Sequence, residues 1–144
     1  MKLKTFLCAA LLPLVFVSAG AAAKPGWSEN FAESQKRAAS EKKHLLLDFT
    51  GSDWCGFCIK IDKEVFAKAD FKSLGDKSLV LVEVDFPKSK PQSSEVKAQN
   101  EGLERKFAVS GYPTLVLLSP EGKEVRRWEG YNAGFLDELR KAVR

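Results

Sequence analysis

The chain has 144 residues, 44% of them hydrophobic and 29% charged, with a formal excess of four positive charges. That composition fits one globular domain and excludes a disordered tail. Two of the four charges belong to Lys2 and Lys4 at the extreme N-terminus, so the balance makes no case for binding nucleic acid or an anionic membrane surface.

Lys2 and Lys4 open a leader. Leu7 to Val17 form an apolar run, and Ser18-Ala19-Gly20-Ala21-Ala22-Ala23 then offers small-residue cleavage sites, which is the layout of a secretory signal peptide. A membrane-anchoring helix needs about 20 apolar residues, and this run is shorter and contains Pro13. The expectation is a cleaved signal over 1–23, a single domain over 24–144, and a periplasmic or secreted location. Cys8 leaves with the signal, so Cys55 and Cys58 are the cysteines of the domain.

Within the domain, Ser28 to Lys43 predicts a polar helix with Trp27, Phe31 and Ala38 or Ala39 on its inner side. His44-Leu45-Leu46-Leu47-Asp48-Phe49 predicts a short buried strand. Cys58, Ile61, Asp62, Val65, Phe66 and Ala69 then recur at helical spacing, with Lys60, Lys63, Glu64 and Lys68 facing away. Leu79 to Asp85 predicts a second buried strand, and Phe86 to Ser94, with Pro87 and Pro91, a surface loop. Val96, Asn100, Leu103 and Phe107 mark another helix, weakened by Gly102. Thr114 to Leu118 and Val125 to Trp128 pair as a hairpin around Ser119-Pro120-Glu121-Gly122, whose proline and glycine suit a type I turn. Asn132 is placed to cap a last helix carrying Phe135, Leu136, Leu139 and Val143 inward. This order predicts an α/β fold with a small mixed sheet of about four strands and helices on both faces. Strands joined through crossover helices are expected parallel, with the hairpin adding one antiparallel edge.

Trp54-Cys55-Gly56-Phe57-Cys58 falls where the first strand ends and the next helix begins. A thiolate is the reactive form of cysteine, and the free N–H groups and dipole of a helix N-terminus stabilise it. Cys55 is therefore the expected nucleophile. Cys58, one turn in, is the expected resolving thiol, which attacks the mixed disulfide and releases the partner. A purely structural disulfide here would close a three-residue loop and add little stability. A zinc half-site would need two more ligands, and the domain offers no further cysteine and one histidine, His44. Pro113, opening an apolar strand, can be cis or trans on sequence grounds alone.

Asp48-Phe49-Thr50-Gly51-Ser52-Asp53-Trp54-Cys55-Gly56-Phe57-Cys58, with Gly111-Tyr112-Pro113-Thr114 downstream, resembles the thioredoxin family from about Ser28 to the C-terminus. The likeness extends to secreted bacterial thioredoxin-like proteins and to the C-terminal domain of the transmembrane reductant conductor DsbD. It implies a thioredoxin-like fold lacking thioredoxin's first strand, and thiol–disulfide exchange on protein substrates by a monomer, through a Cys55–Cys58 disulfide and without cofactor or metal. It also implies re-reduction by a membrane donor of DsbD type and a cis Pro113 facing the pair, with Tyr112, Trp54, Gly56 and Phe57 meeting the substrate. Asp48 matches the buried aspartate that manages the second cysteine's proton, although it stands seven residues before Cys55, one more than in thioredoxin. The lysine that usually accompanies it is replaced by Leu81. Asp62, four residues after Cys58, stands where the DsbD domain carries a glutamate. On the helix's apolar face it reads either as a proton-exchanging carboxyl or as a boundary residue reaching water. Two rival functions use the same residues: a chaperone gripping extended chains through Trp54, Tyr112 and Pro113, and a copper or zinc metallochaperone with His44 as third ligand. Asp53 and the Lys88–Lys90 pair read as solvated loop charges.

Overall fold

A computed structural model describes residues 23–144, so the leader expected over 1–23 lies outside them except for Ala23. The first helix, α1 (Phe31–Glu41), starts later than the pattern suggests. Asn30 caps it, its side chain accepting from the Glu33 N–H at 3.0 Å. Ser28 is drawn instead to the sheet, where its N–H donates to the Leu81 carbonyl at 3.0 Å and its carbonyl accepts from the Glu83 N–H at 2.9 Å.

The chain continues through β1 (His44–Thr50) and α2 (Gly56–Ile61). A π-helical turn over Asp62–Phe66 and α3 (Ala69–Ser78) follow, then β2 (Leu79–Asp85) and α4 (Ser94–Lys106). The hairpin β3 (Thr114–Leu118) and β4 (Glu124–Glu129) leads to α5 (Phe135–Ala142). The helix expected from Cys58 to Ala69 is thus broken by the π turn. Helix α3 has no counterpart in the sequence pattern, because Phe71 and Leu74 are its only large apolar residues and Gly75 interrupts it. Asn132 does not cap α5 directly. Its Oδ1 accepts from the Gly134 N–H at 2.8 Å, which turns the chain just before the helix, and Gly134 holds the cap position.

The sheet order is β2-β1-β3-β4. Strands β1 and β2 are parallel, with Thr50 opposite Asp85. Strand β3 runs antiparallel to β1, with Phe49 opposite Thr114, which corrects the expectation of a parallel crossover. The segment from Asp85 through α4 returns to the sheet end it left, so β3 must run back along β1. The consequence is functional: Tyr112-Pro113 arrives at the end of β1 from which the cysteine turn departs.

Side chains alternate across β1 and divide the core into two layers. Leu45, Leu47 and Phe49 pack with Val82, Val116, Ala38, Leu103 and Phe107 on one face. Leu46 packs with Leu81, Leu115, Leu117, Phe66, Phe71 and Phe135 on the other. Toward the ends of β1 and β2 that second face turns polar. Asp48, Thr50, Glu83 and Asp85 are all buried there.

Candidate active site

The turn between β1 and α2 hangs from the end of β2. Asp85 accepts from the Ser52 N–H at 2.9 Å and from its hydroxyl at 2.5 Å, and the Cys55 N–H donates to the Gly51 carbonyl at 2.8 Å. Cys55 is thereby set as the N-cap of α2, its Sγ accepting from the Cys58 N–H at 3.3 Å. The two sulfurs are joined as a disulfide. Both cysteines are buried in this oxidised state, whereas Gly56 and Phe57 project beside them, Phe57 with 62% of its surface in solvent. Asp53 is not a free loop acid. Its carboxylate accepts from the backbone N–H groups of Lys88, Ser89 and Lys90 at 2.7–3.1 Å, which hold it below the usual carboxylate range.

Trp54 is 40% exposed and donates its indole N–H to the Phe86 carbonyl at 2.8 Å. Its ring meets the edge of Tyr112, and the Lys88 ammonium stands 4.1 Å above it. The indole lies so close over Gly51 that a Cβ there would fall 2.5 Å from its Cε2. Gly51→Ala is therefore expected to push Trp54 off this seat, with loss of the Phe86 hydrogen bond worth about 1 kcal/mol. A changed tryptophan emission and easier alkylation of the reduced pair would report it; an unaltered spectrum would count against the seating.

Pro113 follows a cis peptide bond, and its carbonyl accepts from the Gly130 N–H at 2.8 Å. Tyr112 stacks on Phe86 at 5.1 Å and donates its hydroxyl to Glu104; burial and then that carboxylate push the phenol above its ordinary pKa.

Behind the pair lies a cluster centred on Lys24, a residue the sequence pattern does not single out. Its Nζ lies 2.8 Å from Asp48 Oδ2, 3.1 Å from Asp62 Oδ1 and 3.5 Å from Glu83 Oε1, and its backbone N–H donates to Glu83 Oε2 at 3.2 Å. The ammonium also sits 4.2 Å from the Trp27 ring and 4.7 Å from the Phe66 ring. Burial opposes its charge, but Asp48, Glu83 and Asp62 outweigh burial and hold its pKa above the lysine value. Burial pushes both Asp48 and Glu83 upward, and Lys24 opposes the rise at each. Among the described residues, Asp48 Oδ1 is the buried side-chain oxygen left without a hydrogen-bond partner.

Lys24, Glu83, Asp85, Asp62, Lys63 and Cys58 share the lining of a cavity of about 240 Å³. Asp62 is therefore at a polar rim, its side chain 47% exposed, and not on an apolar face. The clue to Lys24 was indirect: Asp48, Glu83 and Asp85 stack acids at one strand end, and a buried group of acids demands a cation. His44 opens β1 at the end opposite the cysteines, six residues before Thr50 and roughly 20 Å away at about 3.3 Å per residue. It cannot complete a metal site on Cys55 and Cys58, and no cluster of three metal-ligating side chains occurs among the described residues.

Residues 31–142 match the thioredoxin-like domain family. The disulfide bond reductase DsbH of Chlamydia pneumoniae is 35% identical over 127 residues, which cover 86% of this chain and 76% of that protein. The thiol:disulfide interchange protein DsbD of Actinobacillus pleuropneumoniae serotype 5b (strain L20) is 31% identical over 111 residues, covering 76% of this chain but 17% of its own length. A solved structure of a DsbH oxidoreductase superposes with a TM-score of 0.73 at 31% identity, covering 94% of each chain.

Proposed function

Because this chain belongs to the thioredoxin-like family and is a thiol–disulfide oxidoreductase, we propose that it is exported and works as a reductant or isomerase-type carrier for protein disulfides. Export rests on the leader. The direction of electron flow rests on one observation: the sulfur of Cys55 caps α2 beside Phe57, which offers neither charge nor hydrogen bond. The thiolate then depends on helix-terminal N–H groups, and the dithiol form gains less stabilisation than a histidine in that position would supply.

In the reduced protein the Cys55 thiolate attacks one sulfur of a substrate disulfide. The substrate S–S bond breaks, its other sulfur leaves as a thiolate, and a mixed disulfide joins Cys55 to the attacked sulfur. Cys58 then attacks Cys55 Sγ, expelling the second substrate thiolate and closing Cys55–Cys58. Two electrons have passed to the substrate, and no cofactor takes part. A membrane donor of DsbD type restores the dithiol by the same exchange run onto Cys55–Cys58. Tyr112, Pro113 and Trp54 frame the approach, with the Tyr112 backbone offered to an extended substrate.

The reduction potential tests this direction. A value between about −270 and −180 mV is expected, and Phe57→His should raise it by about 30 mV for each 1.4 kcal/mol added to the dithiol form. A wild-type value near −120 mV, typical of the strongest oxidant of this fold, would reverse the assignment.

A further inference from the structure

We infer that the loop from Phe86 to Ser93 selects the substrate: Asp53 positions Lys88 and Lys90 beside the cysteine turn, where they favour extended segments that carry acidic side chains near their cysteine. The inference rests on the redox reading of the pair and names the substrate chemistry that this reading leaves open.

The loop is fastened to the turn. The Asp53 carboxylate gathers the successive backbone N–H groups of Lys88, Ser89 and Lys90 at 2.7–3.1 Å. The Trp54 indole donates to the Phe86 carbonyl at 2.8 Å, and the Gln92 side chain to the Asp85 carbonyl at 3.0 Å. Pro87 and Pro91 remove further backbone freedom. The Lys90 Nζ donates to the Ser52 hydroxyl at 3.0 Å, and the Lys88 ammonium stands 4.1 Å from the Trp54 ring. Both exposed lysines are thus seated on residues 52–54, the stretch that leads into Cys55. A charge held in place loses less freedom on meeting a partner than one on a mobile loop.

These charges are uncommitted. Among the described residues, neither lysine has a carboxylate within ion-pair distance, and the same holds for Lys60 and Lys63 downstream of Cys58. The acids around the turn are already engaged: Asp53 by the loop amides, Asp62 by Lys24, Asp85 by Ser52 and Glu104 by Tyr112. Glu29 and Glu101 share cavity walls with Lys90 but are not bonded to it. The approach to Cys55 is therefore an apolar floor, made by Trp54 and Phe57, with cations along its edge. The floor accepts many extended chains, and the edge discriminates between them. At about 3.3 Å per residue, a chain crossing Trp54 brings a side chain roughly three positions from its cysteine up to Lys88. A carboxylate there gains an exposed ion pair, whereas an ammonium meets its own sign.

The test uses synthetic peptides with one cysteine joined as a mixed disulfide to a chromogenic aryl thiol, its neighbours being Glu, Gln or Lys. The Cys55 thiolate of the reduced protein attacks the peptide sulfur, the peptide–aryl S–S bond breaks, and the aryl thiolate departs as the better leaving group. Cys58 then expels the peptide thiolate, so two electrons pass from the dithiol to the peptide–aryl disulfide. At about 0.01 M salt, where charges act over about 30 Å, the Glu peptide should release aryl thiolate about fivefold faster than the Gln peptide, and the Lys peptide more slowly than either. The preference should collapse at about 1 M salt, where that reach is about 3 Å. Lys88→Gln combined with Lys90→Gln should bring the Glu-to-Gln ratio to one or below, and the corresponding pair of Arg substitutions should keep it. Asp53→Ala removes a negative charge, so the general field alone would raise the ratio; release of the loop should lower it instead. A wild-type ratio of one or below would overturn the inference, as would a ratio that survives both Gln substitutions or rises in Asp53→Ala. Failure of every peptide to release aryl thiolate would instead overturn the redox reading itself.

Discussion

Cys58→Ser is expected to abolish multiple turnover and leave Cys55 covalently held to its substrates. The N-cap position provides the reason. Cys55 Sγ already accepts the Cys58 N–H in the oxidised protein, and that N–H remains to stabilise the thiolate when the disulfide opens. Attack by Cys55 therefore survives the substitution, while the sulfur placed to expel the substrate is gone. Cys55→Ser should reduce activity to the uncatalysed rate and trap nothing, since Cys58 is 3% exposed and lies inside the first turn. The two variants are separated by non-reducing electrophoresis of the protein mixed with a disulfide substrate. Equal trapping by both would erase the distinction between nucleophile and resolving thiol.

Phe135→Ala should cost about 3–5 kcal/mol, a large share of the 5–15 kcal/mol typical of a whole domain. Phe135 is fully buried, with its ring 4.9 Å from Trp128 and 6.1 Å from Phe66. Phe66 is also one of the rings beside the Lys24 ammonium, so the cavity left by the truncation would loosen the wall of the site. A urea melt would measure the loss. A change below about 1 kcal/mol would mean that the layer collapses around the gap more completely than packed cores usually do.

The readable parts of the molecule were those where a single local rule applies. Leu45, Leu46 and Leu47, and Leu79 to Val82, are apolar runs too short for helices, and both became buried strands. The cysteine pair was legible because a helix start, a short spacing and a preceding strand coincide at one point. Long-range facts were hidden. Nothing local to Thr114–Leu118 says that the chain returns to the sheet end it left, so the antiparallel pairing with β1 was missed. Ser28 and Asn30 are both good caps, and the choice of Asn30 was decided by bonds from Ser28 to β2, about 50 residues on. Lys24 was hidden for the same reason. Its partners lie 24, 38 and 59 residues away, beyond any periodicity that a reading along the chain can register.

The pairing of Ser28 against β2 also bears on how the molecule behaves in a crowd. An outer strand normally presents a row of free amides and carbonyls that invites pairing with a strand from another chain. Here the Leu81 carbonyl and the Glu83 N–H of β2 are already taken by the segment before α1. At the far edge, β4 exposes Glu124, Arg126 and Glu129 around Val125, charges poorly suited to stacking against a copy of itself. Under the proposed function the protein meets extended segments of other chains repeatedly. With those β2 groups taken and charges along β4, both margins of the sheet discourage a strand of another chain from adding to it.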